Sequence, residues 1–532
     1  MGVAMHPVTT FEAGARYLCL PVAQEARLAK AEIRVDGRVE RAFDIPLTGS
    51  EPDFWVGADL AAFQGRQVAF LVDDEGLAGA PVFQADAIPG SEELYRERYR
   101  PQFHFSAARG WLNDPNGLVA YGGSYYLFFQ HDPYANHGSG RNKHWGLATS
   151  RDLVHWHEVG DVLYPDALGA CWSGSAVVDW GNSSGLGNGD TPPLVCAYTS
   201  AGEPFTQSLA YSADGGVTWQ PYDGNPVVGH LRAENRDPKL IWHAPTERWI
   251  MALYLDGNAY ALLRSRDLRQ WEVIQELTLA GAAECPDLFP LALEGDAEDV
   301  RWVFWGANGT YLVGEFDGER FTPAQAPARL AANGDAYAAQ TWSDIPREDG
   351  RRIQIAWLRG DLPGMPFTQQ MTFPHTLELR AAARGMRLAA EPVAEIASLY
   401  AATERWEGLA VQAGQDPLDG VVGELLDVRA QVLVGDGPGF GLMVRGVPVV
   451  YDAGEELLWC YGRACRCRPR DGLVDLRILA DRASVELYGE GGLAALPLRV
   501  LTEPGGRALR ALPWGGELVF RSLEVHILRS IW

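Results

Sequence analysis

The chain has 532 residues, of which 47% are hydrophobic and 21% charged. A chain of this length is too long to fold around one hydrophobic core and predicts about three domains. The high hydrophobic and moderate charged fractions exclude a largely disordered chain. The net charge of −24 argues against nucleic acid or an anionic membrane as a partner, because both would repel the protein, and it is compatible with a neutral substrate.

The cysteines and the N-terminal segment bear on the compartment of the protein. The seven cysteines are an odd number spread thinly through the chain, which does not fit a disulfide framework, and no metal or cofactor is predicted. The first residues lack a basic segment followed by an apolar stretch, and no run has membrane-spanning length. We therefore expect a cytoplasmic protein, or a secreted one whose signal has been removed. Its oligomeric state, monomer or dimer, stays open.

Residues 1–96 are predicted to form a small antiparallel β-domain. Apolar and polar residues alternate in YLCLPV, AEIRVDGRV and RQVAFLVDD, with turn residues between these segments. Such alternation is typical of strands that bury one face.

Residues 97–384 are predicted to form a five-bladed β-propeller. Apolar, aromatic-rich strands recur at intervals of 69, 55, 52 and 52 residues, centred on Phe128, Ala197, Ala252, Phe304 and Ala356. A Ser-x-Asp turn followed by a strand with tryptophan recurs independently in SRDLVHW, SADGGVTW and SRDLRQW. Repeated units of about four strands indicate blades arranged around a central channel.

Three acidic residues lie in short segments stiffened by proline: Asp114 in WLNDPNG, Asp237 in RDPK and Glu284 in ECPD. Because proline disfavours the helical region for the preceding residue, Asp114 and Asp237 are predicted to be extended. Each acid opens the first strand of a repeated unit, and such strands line the channel of a propeller. The three carboxylates should therefore meet at one mouth, as an enzyme that cleaves glycosidic bonds requires.

Residues 385–532 are predicted to form a linker helix followed by a β-sandwich. The segment RLAAEPVAEIASLYAA (387–402) is the predicted helix. Alternation in LDVRAQVLV, GFGLMVRG and VDLRILADRASVELYG indicates the strands of the sandwich.

The three acidic motifs, in this order and at these separations, resemble the signature motifs of glycoside hydrolase family 32, which includes invertases, inulinases and levanases. The similarity extends to RPQFHF, HWGLATSRDLVHW, WSGSAVV and YAAQTWSD, and it covers residues 97–532. The N-terminal segment is similar to a β-domain that precedes the catalytic module in some bacterial members. The resemblance implies a retaining hydrolase that releases terminal β-D-fructose from levan, inulin or sucrose by double displacement.

The resemblance also implies separate roles for the acidic residues. Asp114 matches the nucleophile, Glu284 the general acid/base and Asp237 the transition-state stabiliser. In a retaining enzyme the Asp114 and Glu284 carboxyls should lie about 5–5.5 Å apart. The remaining candidates are expected to bind substrate or orient the acids: Asn113, Gln130, Trp145, Trp172, Ser173, Arg236, Trp305 and Tyr337.

Four positions near the expected pocket depart from the family pattern. HGSGRN (137–142) stands where many members carry Trp-Gly-Asn. Leu147, Ala336 and His375 replace a histidine, an aromatic residue and an arginine that are common in the family. None of these changes removes a catalytic group, and together they predict a pocket rim of altered shape.

Several alternatives stay open at this point. A fructosyltransferase would use the same covalent intermediate, and a non-catalytic fructan-binding propeller would share the fold. An inverting relative would place the two carboxyls about 6.5–9.5 Å apart. The preference for β(2→1) or β(2→6) linkages and the choice of exo or endo action are not readable from the residues.

Overall fold

A computed structural model describes residues 4–138, 140–189, 191–330, 334–382, 385–502 and 508–532. Nearly every regular element in these ranges is a β-strand, which confirms the all-β prediction. No helix in the described ranges is long and apolar enough to cross a membrane. The helical segments are short 3₁₀ turns: Ala61–Phe63, Glu75–Leu77, Ser91–Glu93, Ala244–Thr246, Ala394–Leu399 and Glu490–Gly492.

The N-terminal region forms two small sheets around one core. Its strands are β1 (His6–Glu12), β2 (Tyr17–Val22), β3 (Ala29–Val35), β4 (Arg38–Ile45), β5 (Phe54–Asp59), β6 (Gln67–Val72) and β7 (Phe83–Ala85). The strand orders are β1-β6-β3-β4 and β5-β2-β7. Leu20 of one sheet and Phe70 of the other belong to the same buried cluster. The alternating pattern of this segment thus reflects strands that each bury one face.

Five consecutive antiparallel meanders follow, corresponding to the five predicted blades. They consist of β8–β11, β12–β15, β16–β19, β20–β23 and, for the fifth, β25, β26, β29 and β30. The strands are β8 (Gly110–Tyr121), β9 (Ser124–Asp132), β10 (His144–Ser150), β11 (Trp156–Leu163), β12 (Ala170–Val178), β13 (Leu194–Ala201), β14 (Thr206–Ser212), β15 (Gln220–Pro221), β16 (Arg236–His243), β17 (Arg248–Asp256), β18 (Ala259–Ser265), β19 (Glu272–Thr278), β20 (Asp287–Leu293), β21 (Asp296–Trp305), β22 (Thr310–Phe316), β23 (Phe321–Pro323), β24 (Ala328–Arg329), β25 (Ala336–Thr341), β26 (Arg352–Leu358), β27 (Phe367–Thr368), β28 (Gln370–Met371), β29 (His375–Ala382) and β30 (Gly385–Pro392).

The first strands of the five meanders surround a common axis. Strand β8 contacts β12 and β25, β12 contacts β16, and β16 contacts β20. The Thr341 amide in β25 donates to Asp287 in β20 at 2.7 Å, which completes the ring. The Lys239 ammonium lies 3.3 Å from the same Asp287 carboxylate and donates to the Thr341 carbonyl at 2.7 Å. Buried polar bonds therefore tie neighbouring blades together at the axis.

Bulges interrupt four of these first strands where candidate site residues lie. The pairing register shifts between Leu112 and Pro115, Trp172 and Gly174, Arg236 and Lys239, and Tyr337 and Gln340. A bulge leaves residues outside the ladder, bends the strand and redirects side chains. The bulged residues include Asn113, Asp114, Ser173 and Asp237, so the irregular backbone determines where these groups point.

Two of the three acids have a left-handed backbone, and for Asp237 this differs from the prediction. Asp237 has φ of 64° and Glu284 has φ of 56°, both in the left-handed region. The predicted extended conformation of Asp237 is therefore wrong. Such a conformation costs about 1–3 kcal/mol for a residue other than glycine and persists when its surroundings hold it. The Asp237 amide donates to Thr199 Oγ1 at 2.9 Å, which is one of the contacts that hold it.

The C-terminal region contains two sheets that share a core. Its strands are β31 (Tyr400–Val411), β32 (Leu426–Leu433), β33 (Gly439–Val444), β34 (Val447–Asp452), β35 (Leu457–Cys460), β36 (Arg463–Arg466), β37 (Leu473–Ala480), β38 (Ser484–Gly489), β39 (Ala494–Arg499), β40 (Leu509–Trp514) and β41 (Leu518–Leu528). The strand orders are β31-β41-β32-β37-β38-β39 and β36-β35-β34-β33-β40. Val428 and Leu442, one from each sheet, lie in one buried cluster, as in a sandwich.

The junction before this region differs from the predicted helix. Strand β30 pairs with β29 along its whole length, so the fifth meander extends to Pro392, beyond the predicted boundary after residue 384. The predicted helix at 387–402 is wrong, because only Ala394–Leu399 is helical and it is a 3₁₀ turn. Pro392 lacks an amide donor and pushes Glu391 into an extended conformation, which prevents a continuous helix across this segment.

A buried charged cluster joins the propeller to the sandwich. His104 Nδ1 lies 2.8 Å from Asp481 Oδ2, and His104 Nε2 lies 3.3 Å from Glu486 Oε1. Asp481 also accepts hydrogen bonds from the backbone amides of Gln102 and Phe103. Burial alone would lower the pKa of His104, but the hydrogen bonds to Asp481 and Glu486 raise it to about 9. The cluster therefore holds a protonated imidazole between two acids at neutral pH.

Candidate functional site

A pocket beside the bulged first strands gathers the three predicted carboxylates. Its volume is about 210 Å³. It is lined by all but two of the predicted site residues, namely Asn113, Asp114, Gln130, Trp172, Ser173, Arg236, Asp237, Glu284 and Tyr337. Residues from separate blades thus meet in one place, as expected for first strands around a common axis.

Trp145 and Trp305 are the two predicted site residues that lie outside the pocket lining. Trp145 is fully buried against Phe128 and Tyr198, and its Nε1 donates to the Trp172 carbonyl at 3.1 Å. Trp305 is 2% exposed and stacks on Tyr311. Both rings are buried in blade cores, so the structure does not bring them into the pocket with the other predicted residues. Their strands are buried on both faces, and hydrophobicity alone does not separate a pocket wall from a core.

Three lining residues were missed by sequence reasoning: Lys143, Cys285 and Trp357. Lys143 directly precedes β10 and is one of only three lysines in the chain, and this rarity was the available signal. Cys285 lies between Glu284 and the proline of the same motif. Trp357 is the penultimate residue of the fifth apolar strand, near the end of β26.

Asp114 is oriented by two neutral donors. Ser173 Oγ donates to Asp114 Oδ2 at 2.6 Å, and Asn113 Nδ2 donates to Asp114 Oδ1 at 3.1 Å. Burial raises the pKa of Asp114, while the bonds from Ser173 and Asn113 act in the opposite direction. The carboxylate is therefore held in one orientation in surroundings that make its negative charge reactive.

Asp237 lies beside Asp114, with Cys285 between them. The Cys285 amide donates to Asp237 Oδ2 at 2.9 Å, and its Sγ lies 3.5 Å from Asp237 Oδ2 and 3.6 Å from Asp114 Oδ2. Arg236 Nε is 3.8 Å from Asp237 Oδ2. Burial raises the pKa of Asp237 to about 7 although the Arg236 charge opposes this, and the Asp114 charge adds to the rise.

Glu284 has different surroundings from the other two acids. Arg236 Nη2 lies 2.6 Å from Glu284 Oε1, and the Tyr337 hydroxyl donates to Oε2. The Glu284 side chain is 31% exposed, compared with 7% for Asp237. Glu284 can therefore exchange a proton with solvent or a leaving group while its partners keep it oriented.

The departures from the family pattern lie mainly away from this pocket. Leu147 is buried in a blade core, while Ala336 and His375 line a separate cavity of about 40 Å³ behind Tyr337. Within HGSGRN (137–142), the Gly140 carbonyl accepts a bond from Trp172 Nε1 at 2.9 Å, and Ser139 lies outside the described residues. The 137–142 segment therefore contacts the pocket residue Trp172 directly.

Comparison with known sequences agrees with the motifs. Residues 104–392 match the family model described as the glycosyl hydrolases family 32 N-terminal domain. A levanase from Bacillus subtilis (strain 168) is 34% identical over 499 residues, covering 85% of this chain and 73% of that protein. An extracellular exo-inulinase from Aspergillus niger is 28% identical over 526 residues, covering 82% of this chain and 96% of that protein.

Solved structures give the same result for the fold. The crystal structure of exo-inulinase from Aspergillus awamori matches with a TM-score of 0.73 and 26% identity, covering 82% of this chain and 100% of that one. Fructofuranosidase from Schwanniomyces occidentalis, complexed with fructose, matches with a TM-score of 0.72 and 23% identity, covering 82% and 99%. Together with the family model, these matches confirm the resemblance: the chain belongs to glycosyl hydrolase family 32 and is a glycoside hydrolase.

Proposed function

We propose that this protein is a retaining hydrolase that releases terminal fructose from fructans or sucrose. The observation that carries the proposal is the meeting of Asp114, Asp237 and Glu284 in one pocket, each with different partners. The names of its relatives, levanase, exo-inulinase and invertase, support the substrate class. A neutral sugar also suits the uncharged donors and acceptors of Asn113 and Gln130.

In the first step, Asp114 attacks the anomeric carbon of the fructosyl unit, and the bond to the leaving oxygen breaks. Glu284 donates its proton to that oxygen. In the second step, Glu284 takes a proton from water, which attacks the fructosyl–Asp114 ester and releases fructose with retained configuration. The hydrogen bonds from Ser173 and Asn113 support the nucleophile role because they hold Asp114 in one orientation.

Asp237 and Arg236 are assigned supporting roles. Asp237 stabilises the positive charge that develops on the sugar and accepts hydrogen bonds from sugar hydroxyls that tighten in the transition state. Arg236 contacts both Asp237 and Glu284 and thereby fixes the Glu284 side chain relative to Asp237. The guanidinium thus keeps the proposed acid/base oriented through both steps.

The size of the pocket supports the release of one sugar unit at a time. Its volume of about 210 Å³ is smaller than the roughly 300–1,000 Å³ typical of sites for drug-sized ligands. The rings of Trp172 and Trp357 form part of its wall. We therefore favour exo action, in which a terminal fructosyl residue enters the pocket and the rest of the substrate stays outside.

The proposal is tested by measuring hydrolysis of sucrose, inulin and levan by the wild type, Asp114→Ala and Glu284→Ala. Loss of either residue should lower kcat by about 10³-fold or more, because each is required in both steps. NMR of the first-formed product should show the retained β-anomer. Wild-type turnover in either variant, or an inverted first product, would contradict these roles.

The same relatives support a proposal for the compartment. Of the two alternatives for localisation, the names of the Aspergillus exo-inulinases, which include the word extracellular, support action outside the cell. Detection of the native protein in culture medium by immunoblotting, with a cytoplasmic enzyme as a lysis control, tests this point.

A further inference from the structure

Lys143 is a buried lysine on the pocket wall with unusual surroundings. It is 8% exposed, and its Nζ donates to the neutral Asn113 Oδ1 at 2.5 Å. In the described ranges, Lys143 forms no ion pair with a carboxylate, whereas the other buried lysine, Lys239, lies 3.3 Å from Asp287. Burying an ammonium without a paired carboxylate is costly. Its position beside the pocket therefore requires a reason other than stability.

Lys143 determines which atom of Asn113 faces Asp114. Asn113 Oδ1 accepts from both Lys143 Nζ and Trp111 Nε1, the latter at 3.0 Å. The Lys143 ammonium also lies 5.5 Å from the centre of the Trp111 ring, so ring and cation support each other. Reversing the Asn113 amide would place its NH₂ group against two donors. Its Nδ2 is thereby directed to Asp114 Oδ1.

Lys143 also places a positive charge near Asp114, which Arg236 does not contact. Arg236 contacts Asp237 and Glu284, whereas Asp114 forms no ion pair among the described residues. Lys143 reaches Asp114 through one neutral amide, and the Lys143 backbone is held in place because its carbonyl accepts the Cys171 amide. The Lys143–Asn113–Asp114 chain is thus a rigid link between a cation and the proposed nucleophile.

We propose that Lys143 is a positioning residue for Asp114, which holds the Asn113 amide toward the nucleophile and keeps that carboxylate ionised in an acidic pocket. The inference rests on the proposed function, in which Asp114 attacks the substrate. Charged groups facing Lys143 are Asp114 and Asp132. Those facing Asp114 are Lys143 and Glu284, with Asp237 and the Cys285 thiol adjoining. Removing the ammonium should therefore raise the pKa of Asp114.

The test compares Lys143→Gln and Lys143→Met by the pH dependence of kcat/KM. Both variants lose the charge, but glutamine keeps an N–H that can donate to Asn113 Oδ1. The acidic limb should move to higher pH by about one unit in both variants. At the pH optimum, kcat/KM should fall about tenfold in Lys143→Met and less in Lys143→Gln, because Lys143→Met leaves Trp111 Nε1 as the one remaining donor to Asn113 Oδ1 among the described residues. The exposed Lys30→Met serves as the matched control and should leave the profile unchanged.

Identical acidic limbs in the wild type and Lys143→Gln would overturn the inference. If Lys143→Met does not fold, Lys143→Gln alone is sufficient for the test.

If the wild type hydrolyses none of the three substrates, the proposed function fails, and the inference about Lys143 is tested without turnover. A cyclitol epoxide is then used to alkylate Asp114: the carboxylate oxygen attacks an epoxide carbon, the ring C–O bond opens, and the alkoxide takes a proton from water. Mass spectrometry follows labelling against pH. A midpoint at higher pH in Lys143→Gln supports the inference, and an unchanged midpoint overturns it.

Discussion

Two of the places where the protein buries charged side chains treat those charges oppositely. In the pocket, Arg236 contacts the carboxylates of Asp237 and Glu284 but not that of Asp114. At the junction of propeller and sandwich, His104 lies between Asp481 and Glu486, and Asp481 accepts backbone amides as well. Both sites contain buried carboxylates, but Asp481 at the junction receives more hydrogen-bond donors than Asp237 in the pocket does.

The pKa values show the consequence of this difference. Burial raises the pKa of Asp237 to about 7, because one arginine and one amide do not offset the lost solvation. Burial acts in the same direction on Asp481, but the bond to His104 and the backbone amides outweigh it and lower the pKa. The number of donors aimed at a carboxylate therefore decides whether burial stabilises its charge or leaves it reactive.

The largest stability effect should come from breaking the satisfied cluster. Asp481→Ala would leave His104 without its main partner and the Gln102 and Phe103 amides without an acceptor. Loss of one partner of a buried pair costs about 3–5 kcal/mol of unfolding free energy. Chemical denaturation measures this effect. Asp36→Ala, which removes an exposed partner of Arg66, is the control and should leave the unfolding midpoint unchanged. Equal unfolding midpoints for the two variants would contradict the expectation that the buried pair contributes more stability than the exposed pair.

Asp237→Asn should lower activity and raise stability. The loss of the charge facing the developing cation should reduce kcat by about 10²–10³-fold. Because the folded pKa of about 7 lies above the ordinary value of 3.8, the folded state binds the extra proton, and the contribution of Asp237 to stability falls as pH rises from about 4 to 7.

Asp237→Asn should therefore unfold at a higher temperature than the wild type at pH 7, with a smaller difference near pH 4. Asp287→Asn is the matched control, because Asp287 is paired with Lys239 and bonded to the Thr341 amide, so its neutralisation should destabilise the protein. A lower melting temperature for Asp237→Asn than for the wild type at pH 7 would show that the Asp237 carboxylate stabilises the folded protein and does not destabilise it.

The junction should lose stability in alkaline solution. Because the pKa of His104 is raised from 6.5 to about 9, its contribution is fully present below pH 6.5 and is lost as pH rises through about 9. Melting temperatures measured between pH 6 and 9.5 should therefore fall more steeply for the wild type than for His104→Gln. Parallel curves would show that the imidazolium does not contribute to this junction.

The smallest effect concerns the apolar wall of the pocket. Trp357 lies 6.1 Å from the Trp111 ring and 6.4 Å from the Tyr337 ring, and its Nε1 donates to Gln369. Trp357→Ala should raise KM by about two- to tenfold, because an aromatic contact contributes about 0.5–1.5 kcal/mol. The acidic limb of the pH profile should not move. The exposed Trp459→Ala is the control, and a shifted pH profile would mean that Trp357 also tunes the carboxylates.

Local patterns account for what sequence reasoning predicted well. Strand period, turn residues and the spacing of the three acidic motifs are properties of neighbouring residues, and they predicted the repeated units and the pocket acids. They could not decide whether Trp145 and Trp305 lie in a blade core or line the substrate pocket, because both faces of a strand are buried in a blade. Nor could they find Lys143, whose importance depends on its contact with Asn113, thirty positions earlier in the chain.

By itself, the sequence determined an all-β chain with five repeated units and associated Asp114, Asp237 and Glu284 with the first strands of three of them. Periodicity and proline carry that information because they act on the local backbone. Only the tertiary structure decided that Asp237 and Glu284 adopt left-handed conformations, that Arg236 pairs with Glu284, and that Lys143 reaches Asp114 through Asn113. These outcomes depend on ring closure, which brings distant segments together, forces bulges at the axis and sets how many donors each buried carboxylate receives.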